Sequence, residues 1–272
     1  MTRFLLAFCL MAAQPAVSHA QDGPFEAWLD GFRDRLLASG VEEETALAML
    51  DGLEPEMSII EADRSQPEFV RPIWQYLERA VSDLRISNGQ DNLAPRRETI
   101  DAISEEYGVP SQILVAIWGL ESAYGEVQGD NDVVTAYATL AWEGRRRDWA
   151  ESELVAIGFM IDRGYATREQ LRGSWAGAMG QTQFIPSTYL ERAVDWDDDG
   201  DIDIWSDEFD ALASAANLLS RAGWEEGAPA LIEVTRPEGF DIADWEPGQW
   251  RSVSEWAVQG VSPASGEWAA DD

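Results

Sequence analysis

Ser111-Gln112-Ile113-Leu114-Val115-Ala116-Ile117-Trp118-Gly119-Leu120-Glu121 is the stretch whose reading decides the fold class. Ser111 follows Pro110 and is placed to cap a helix. Ile113 to Leu120 is apolar on every side, which predicts a helix buried all round, and it ends in a carboxylate. Helical periodicity recurs on both sides of it. Phe25, Trp28, Leu29, Phe32 and Leu36 share one face, and Leu47 and Leu50 mark a shorter helix closed by Gly52. Trp74, Leu77, Val81 and Leu84 predict a helix ended by Asn88-Gly89. Ile100, Ile103 and Tyr107 predict another, ended by Gly108. Leu154, Ile157, Gly158 and Ile161 mark one more; Phe209, Leu212, Ala216 and Leu219 mark the last, closed by Gly223. After Trp224 the texture changes: Pro229, Pro237 and Pro247 interrupt short segments such as Leu231-Ile232-Glu233-Val234. The chain is therefore expected to be mainly α. An N-terminal helical region is expected over 21–108, a second helical domain over 109–224, and a strand-and-loop segment over 225–272.

The residue inventory excludes most catalytic strategies. The chain has 272 residues with 19 Lys+Arg against 51 Asp+Glu, a formal charge of −32. Every basic residue is Arg, and the one Cys and one His are Cys9 and His19. Residues 1–20 read as a cleaved secretory leader: Thr2-Arg3, an apolar run from Phe4 to Ala13, and the small-x-small ending Ser18-His19-Ala20. Phe8 before Cys9 argues against lipidation there. Without the leader there is no His, Cys or Lys, so a Ser-His-Asp triad, a Cys nucleophile, a Lys Schiff base and a His-ligated zinc are all excluded. The acidity argues against binding a nucleic-acid backbone, and no run is long enough for a transmembrane helix. Carboxylate chemistry and hard-cation binding remain.

Four features carry that chemistry. Glu121 ends the apolar helix, where desolvation penalises its charged form and raises its pKa. A carboxylic acid still protonated near neutral pH can protonate a leaving oxygen. The Gly- and Ala-rich run from Gly173 to Ser187 reads as a closely packed backbone segment, with Ser174, Gln181, Thr182 and Gln183 able to hydrogen-bond a sugar. Asp195-Trp196-Asp197-Asp198-Asp199-Gly200-Asp201-Ile202-Asp203 fits the first nine positions of a calcium loop, with oxygens at positions 1, 3 and 5 and Gly at 6. Ser206 stands at position 12, so the closing acid is expected from Asp207 or Asp210. Arg145-Arg146-Arg147 either pairs with acids on neighbouring helices or holds an anionic part of a ligand.

Together these segments resemble the lytic murein transglycosylase B family of periplasmic peptidoglycan-cleaving enzymes. The resemblance runs from about Phe25 to about Val261. It is carried by Ile60-Glu61-Ala62-Asp63-Arg64-Ser65-Gln66-Pro67-Glu68-Phe69, Gly119-Leu120-Glu121-Ser122-Ala123-Tyr124-Gly125, Gly173 to Ser187, and Asp195 to Gly223. It implies a lysozyme-like helical catalytic domain with an N-terminal helical extension. It also implies cleavage of the β-1,4 bond between N-acetylmuramic acid and N-acetylglucosamine in peptidoglycan glycan strands, giving 1,6-anhydromuramoyl ends. By position, Glu121 corresponds to the family's single catalytic acid/base. Ser174, Gln183, Phe184 and Tyr124 correspond to substrate-binding residues, and Arg146 and Arg147 to a basic pair facing the glycan. Asp195, Asp197, Asp199, Asp201 and Asp210 correspond to a variant calcium loop. Calcium is the expected structural cofactor, with no organic cofactor, and the protein is expected to act as a periplasmic monomer. The resemblance implies a C-terminal segment that helps complete the cleft; with the sequence ending at Asp272, a fragment or a natural short form is the expectation.

The implied chemistry suits the inventory. Glycosidases usually use two carboxylates. One suffices here, because the muramoyl 6-hydroxyl takes the place of the attacking water. Two alternatives stand beside this reading: a non-catalytic peptidoglycan-binding or scaffolding protein of the same fold, and a lysozyme-type hydrolase with a second carboxylate, for which Asp132 is the nearest candidate in sequence.

Overall fold

The computed structural model describes residues 23–65, 73–228, 231–240, 251–266 and 268. The expected leader over 1–20, and part of the stretch from Ile60 to Phe69, lie outside the described residues. The described chain forms two compact units that divide between Trp224 and Glu225. The first is built from ten helices and the short strands β1 (Asn131–Asp132) and β2 (Arg172–Gly173), which pair antiparallel. The mainly helical architecture agrees with the sequence reading.

Helix α1 (Phe25–Ala38) buries Phe25, Trp28, Leu29, Phe32 and Leu36, the face its periodicity marked. Helix α2 (Glu43–Leu50) buries Thr45, Ala46, Met49 and Leu50 instead of the expected Leu47, which is 47% exposed. With α3 (Met57–Ser65), α7 (Val133–Glu143) and α8 (Arg147–Asp162) they enclose the larger core. Close approach explains Gly158 of α8: a Cβ there would lie 2.6 Å from a Val41 methyl.

The smaller core is enclosed by α5 (Asp83–Tyr107), α6 (Ser111–Ser122) and α10 (Glu208–Arg221). Helix α10 stands between the two cores. Ala211 and Ala215 face the larger one, and Leu212, Ala213, Ala216 and Leu219 the smaller. Its small residues let neighbours pack on both sides.

The sequence reading is corrected in this region. The helix expected to run through Trp74 and Leu84 breaks after α4 (Ile73–Ala80), and Ser82 caps α5 by accepting a hydrogen bond from the Arg85 N–H. Leu77, Val81 and Leu84 are exposed, not core. Asn88-Gly89 does not end a helix; α5 runs through it to Gly108, which closes the helix with φ +69°. Gly89 is small for packing, since a Cβ there would meet the Tyr124 hydroxyl at 2.9 Å.

Residues of the second unit, from Glu225 onward, form the antiparallel pair β3 (Val234–Thr235) and β4 (Ser262–Pro263). They also form a short helix, α11 (Val253–Val258), that the strand-and-loop reading missed. Ser252 and Glu255 make a reciprocal capping box at its start.

Candidate active site

Helix α6 presents one face to the smaller core and one to solvent. Leu114, Val115, Trp118 and Gly119 are buried, whereas Ala116 and Leu120 are exposed, Leu120 to 40%. The expectation of a helix buried on every side is thus corrected: its apolar outer face stays open beside the carboxylate it carries. Glu121 stands at that opening. Its side chain is reached by solvent, yet neighbouring protein displaces much of the surrounding water. This desolvation raises its carboxyl pKa above the ordinary value.

The chain turns sharply after Glu121. Ala123, Tyr124 and Gly125 take φ of +52°, +64° and +86°. Non-Gly residues rarely adopt such values, and a bulky aromatic there is a true outlier. The turn is held by the Ser122 Oγ, which accepts from the Gly125 N–H at 2.9 Å and donates to the Trp118 carbonyl at 3.3 Å. Tyr124 N–H donates to the same carbonyl at 3.2 Å.

The segment after this turn lies along the Gly-rich run. Gln128 Nε2 donates to the Gly125 carbonyl at 3.1 Å and the Trp205 carbonyl at 2.9 Å. Its own carbonyl accepts from Gln183 Nε2 at 3.1 Å. Trp118 Nε1 donates to Gln181 Oε1 at 2.8 Å. Gly129 and Gly173 permit the crossing of the two backbones: a Cβ on Gly129 would lie 2.2 Å from the Gly173 carbonyl oxygen. Gly173, Met179 and Phe184 are joined by bridges next to β2, so the run is a compact irregular ladder.

This geometry separates the polar side chains of the run. Gln181 and Thr182 are buried, Gln181 accepting from Trp118 Nε1 and Thr182 Oγ1 donating to the Ala211 carbonyl. Phe184, 3% exposed, packs in the larger core. Ser174 and Gln183 stay partly accessible, with the Ser174 Oγ accepting from the Ala178 N–H at 3.1 Å.

Glu153 is a buried acid that the sequence reading did not single out. It is 2% exposed, and its carboxylate accepts from the N–H and Oγ of Ser187, both at 2.8 Å. It thereby fixes the start of α9 (Pro186–Arg192), just after the Gly-rich run. Burial pushes its pKa up in spite of those hydrogen bonds. An acid inside an otherwise amphipathic helix gives no periodic signal.

The Arg triplet is divided. Arg145 and Arg146 both pair with Asp63 of α3, which is 3% exposed, and Arg146 lies over the Trp149 ring at 4.0 Å. Arg147 donates to the Ala141 carbonyl and lines a groove of ≈ 440 Å³ with Trp28, Arg35, Asp148 and Glu151, in which Arg35 and Glu151 pair at 2.7 Å. Glu121 is not part of that groove. Removing the Asp63 side chain takes from Arg145 and Arg146 the buried acid they share. Asp63→Ala is expected to lower unfolding free energy by about 3 kcal/mol, checked by urea denaturation.

Asp132, the nearest second carboxylate in sequence, is engaged. It caps α7 through the Thr135 N–H and accepts two hydrogen bonds from Arg168, at 2.6 and 2.9 Å. Although its burial acts the other way, these contacts together hold its pKa below the ordinary value.

Of the five acids in the expected cation loop, Asp195, Asp197 and Asp210 come together, each offering an oxygen within 4.8 Å of the others. Asp210, 3% exposed, accepts from the Trp196 and Asp203 N–H groups at 2.7 and 2.9 Å. Burial, then the charges of Asp207 and Asp195, push its pKa up to about 6. Asp199 and Asp201 are exposed and accept from backbone N–H groups within the loop. Asp207 is the N-cap of α10, which leaves Asp210 as the acid that closes the cluster.

A helical fold of this kind, with one accessible desolvated glutamate at a helix end, is that of the lysozyme-like glycan-cleaving proteins. Residues 24–272 match the family described as "Transglycosylase SLT domain", and the chain belongs to that family. The chain is 29% identical over 235 residues to the membrane-bound lytic murein transglycosylase B of Escherichia coli, covering 84% of this chain and 62% of that protein. It therefore spans less than two thirds of that relative's length. It is similar to SltB3 of Pseudomonas aeruginosa in complex with NAG-NAM-pentapeptide, with a TM-score of 0.81 and 43% identity over 91% of this chain and 67% of that one. SltB3 in complex with NAG-anhNAM-pentapeptide matches with a TM-score of 0.80, again at 43% identity, over 91% of this chain and 66% of that one. The Escherichia coli lytic transglycosylase Slt35 in complex with calcium matches with a TM-score of 0.76 and 26% identity, over 89% of this chain and 77% of that one. Among the described residues of this chain, no helix is long and apolar enough to cross a membrane.

Proposed function

We propose that this chain is a peptidoglycan lytic transglycosylase that cleaves the MurNAc-β-1,4-GlcNAc bond and leaves 1,6-anhydromuramoyl ends. The observation that carries the reading is Glu121: accessible, desolvated, and at the end of the helix whose Trp118 bonds Gln181 of the Gly-rich run. As the acid, its carboxyl proton passes to the glycosidic oxygen, the C1–O bond breaks, and positive charge grows at C1. The carboxylate so formed then takes the proton of the muramoyl 6-hydroxyl, whose oxygen closes on C1. The proton count balances, and no water is consumed. Ser174 and Gln183 are the assigned glycan-binding side chains, with Arg147 as the basic contact and Phe184 holding the run from behind. The engagement of Asp132 by Arg168 supports this reading over a hydrolase, whose attacking water would need a free carboxylate. Digesting purified peptidoglycan and weighing the soluble products tests the proposal. Anhydro-ended muropeptides support it; reducing ends support hydrolysis, and no release supports a binding protein.

Cleavage should depend on pH in a definite direction. The raised pKa keeps Glu121 protonated, and able to act as the acid, to a pH above the ordinary carboxylate range. The rate constant kcat/KM is expected to fall as pH rises through that pKa, checked by a pH–rate profile on a soluble glycan fragment.

Calcium is the proposed structural ion, held by Asp195, Asp197 and Asp210 with Asp199 and Asp201 on the same loop. The donor set fits a hard cation: all oxygen, with a buried carboxylate whose charged form is penalised without one. A bound ion would tie the loop before α10 to that helix. Adding calcium to the chelated protein is expected to raise its unfolding free energy by about 3 kcal/mol at a hundredfold excess over Kd. An unchanged thermal midpoint would count against the ion. The leader expected over residues 1–20 supports a periplasmic location for the proposed activity.

A further inference from the structure

We infer that Tyr124 is a positioning residue which, wedged between two glycines, stops helix α6 and keeps Glu121 uncovered. The inference rests on the reading of Glu121 as the acid, and it assigns Tyr124 a task other than holding substrate. The side chain of Tyr124 turns back along the helix it follows. Its hydroxyl donates to the Arg85 carbonyl of α5 at 2.6 Å, and its ring meets Trp118 edge-on, with centroids 5.6 Å apart. The space it fills is left by Gly119 and Gly89: a Cβ on Gly119 would lie 2.5 Å from the ring, and one on Gly89 2.9 Å from the hydroxyl. Both phenolic hydrogen-bonding and ring packing are thus used within the protein.

The backbone explains why such a wedge is needed. Ala123 and Tyr124 hold left-handed values that only a surrounding structure can impose. Were they to relax to right-handed values, α6 would run on. Residues 124 and 125, three and four places beyond Glu121, would then lie on the helix surface beside its carboxylate. Anchoring Tyr124 to α5 prevents this. The exposed outer face of Leu120 and Glu121 depends on the turn that the tyrosine secures.

Three variants test the inference: Tyr124→Phe, Tyr124→Leu and Gly119→Ala. Phe keeps the wedge and loses the hydrogen bond, so kcat is expected to fall about fivefold. Leu, and the methyl that Gly119→Ala puts against the ring, release the turn; kcat is expected to fall about 10²-fold with KM within about twofold of the parent. The Glu121 carboxyl, followed by carbon NMR and assigned with Glu121→Gln, should titrate differently in Gly119→Ala than in the parent. That readout needs no cleavage, and Gly119→Ala keeps the test available if Tyr124→Leu fails to fold. A rise in KM with kcat retained would make Tyr124 a substrate contact and overturn the inference, as would an unchanged kcat and Glu121 titration in Gly119→Ala. Cleavage surviving in Glu121→Gln would overturn the catalytic reading instead, and the NMR titration would still decide the role of Tyr124.

Discussion

Glu121→Gln is expected to lose glycan cleavage by at least about 10³-fold while retaining the fold and glycan binding. The amide matches the carboxyl in shape but cannot donate the proton that the leaving oxygen requires. Among the described residues, the Asp132 carboxylate cannot take over, since Arg168 and the Thr135 N–H already hold it. The stability of the variant should also move in a definite direction. A carboxyl whose folded pKa is raised contributes stability below its unfolded pKa and loses that contribution as pH rises through the folded value. At neutral pH the Gln variant is therefore expected to be at least as stable as the parent. Thermal midpoints measured beside muropeptide release check both halves of this expectation, and a loss of activity accompanied by a lower midpoint would point to damage, not chemistry.

Gly129→Ala is expected to have the largest effect on stability, about 2 to 5 kcal/mol. Gly129 has φ +90°, and its missing side chain is the space through which the Gly173 carbonyl passes. A methyl group would add left-handed strain of about 1–2 kcal/mol and overpacking of about 1–3 kcal/mol. The backbone cannot yield easily, because β1 and β2 pair at the same point through Asn131 and Gly173. Urea unfolding measures the loss. Glycan release by whatever fraction remains folded should fall too, since the crossing holds the Gly-rich run against the segment that follows Glu121. Gly31 offers the control: a Cβ there would meet only the end of the Arg35 side chain, at 3.4 Å.

Much of this was legible in the sequence wherever one physical signal acted alone. The face of α1 was readable because a single apolar stripe meets a single core. The same held for Ile100 and Ile103 of α5, and the acid-rich loop announced itself by composition. Reading failed where two requirements competed. Asn88-Gly89 looks like a helix stop, yet Gly89 serves packing against Tyr124, a contact 35 positions away that no local pattern encodes. Leu77, Val81 and Leu84 share a helical stripe but stand exposed across the break at Ser82, so periodicity alone did not tell buried from unburied. The run Ile113–Leu120 looked buried on all sides because hydrophobicity does not distinguish a core face from an apolar outer face left open beside a carboxylate. Gln181 and Gln183 are alike in type and neighbourhood; only the fold directs one inward to Trp118 and leaves the other partly accessible. The resemblance singles out Glu121 as the proposed acid, but the left-handed turn that frames it was not legible, since Ala and Tyr give no sign of positive φ.

The central claim is that one glutamate cleaves the glycan without consuming water, and digestion of peptidoglycan in heavy-oxygen water tests it most directly. Mass spectrometry of the released muropeptides should find anhydro ends free of the heavy label in the parent protein, and no release with Glu121→Gln. Reducing ends carrying the heavy oxygen would contradict the account, because they would require an attacking water and a second carboxylate to hold it.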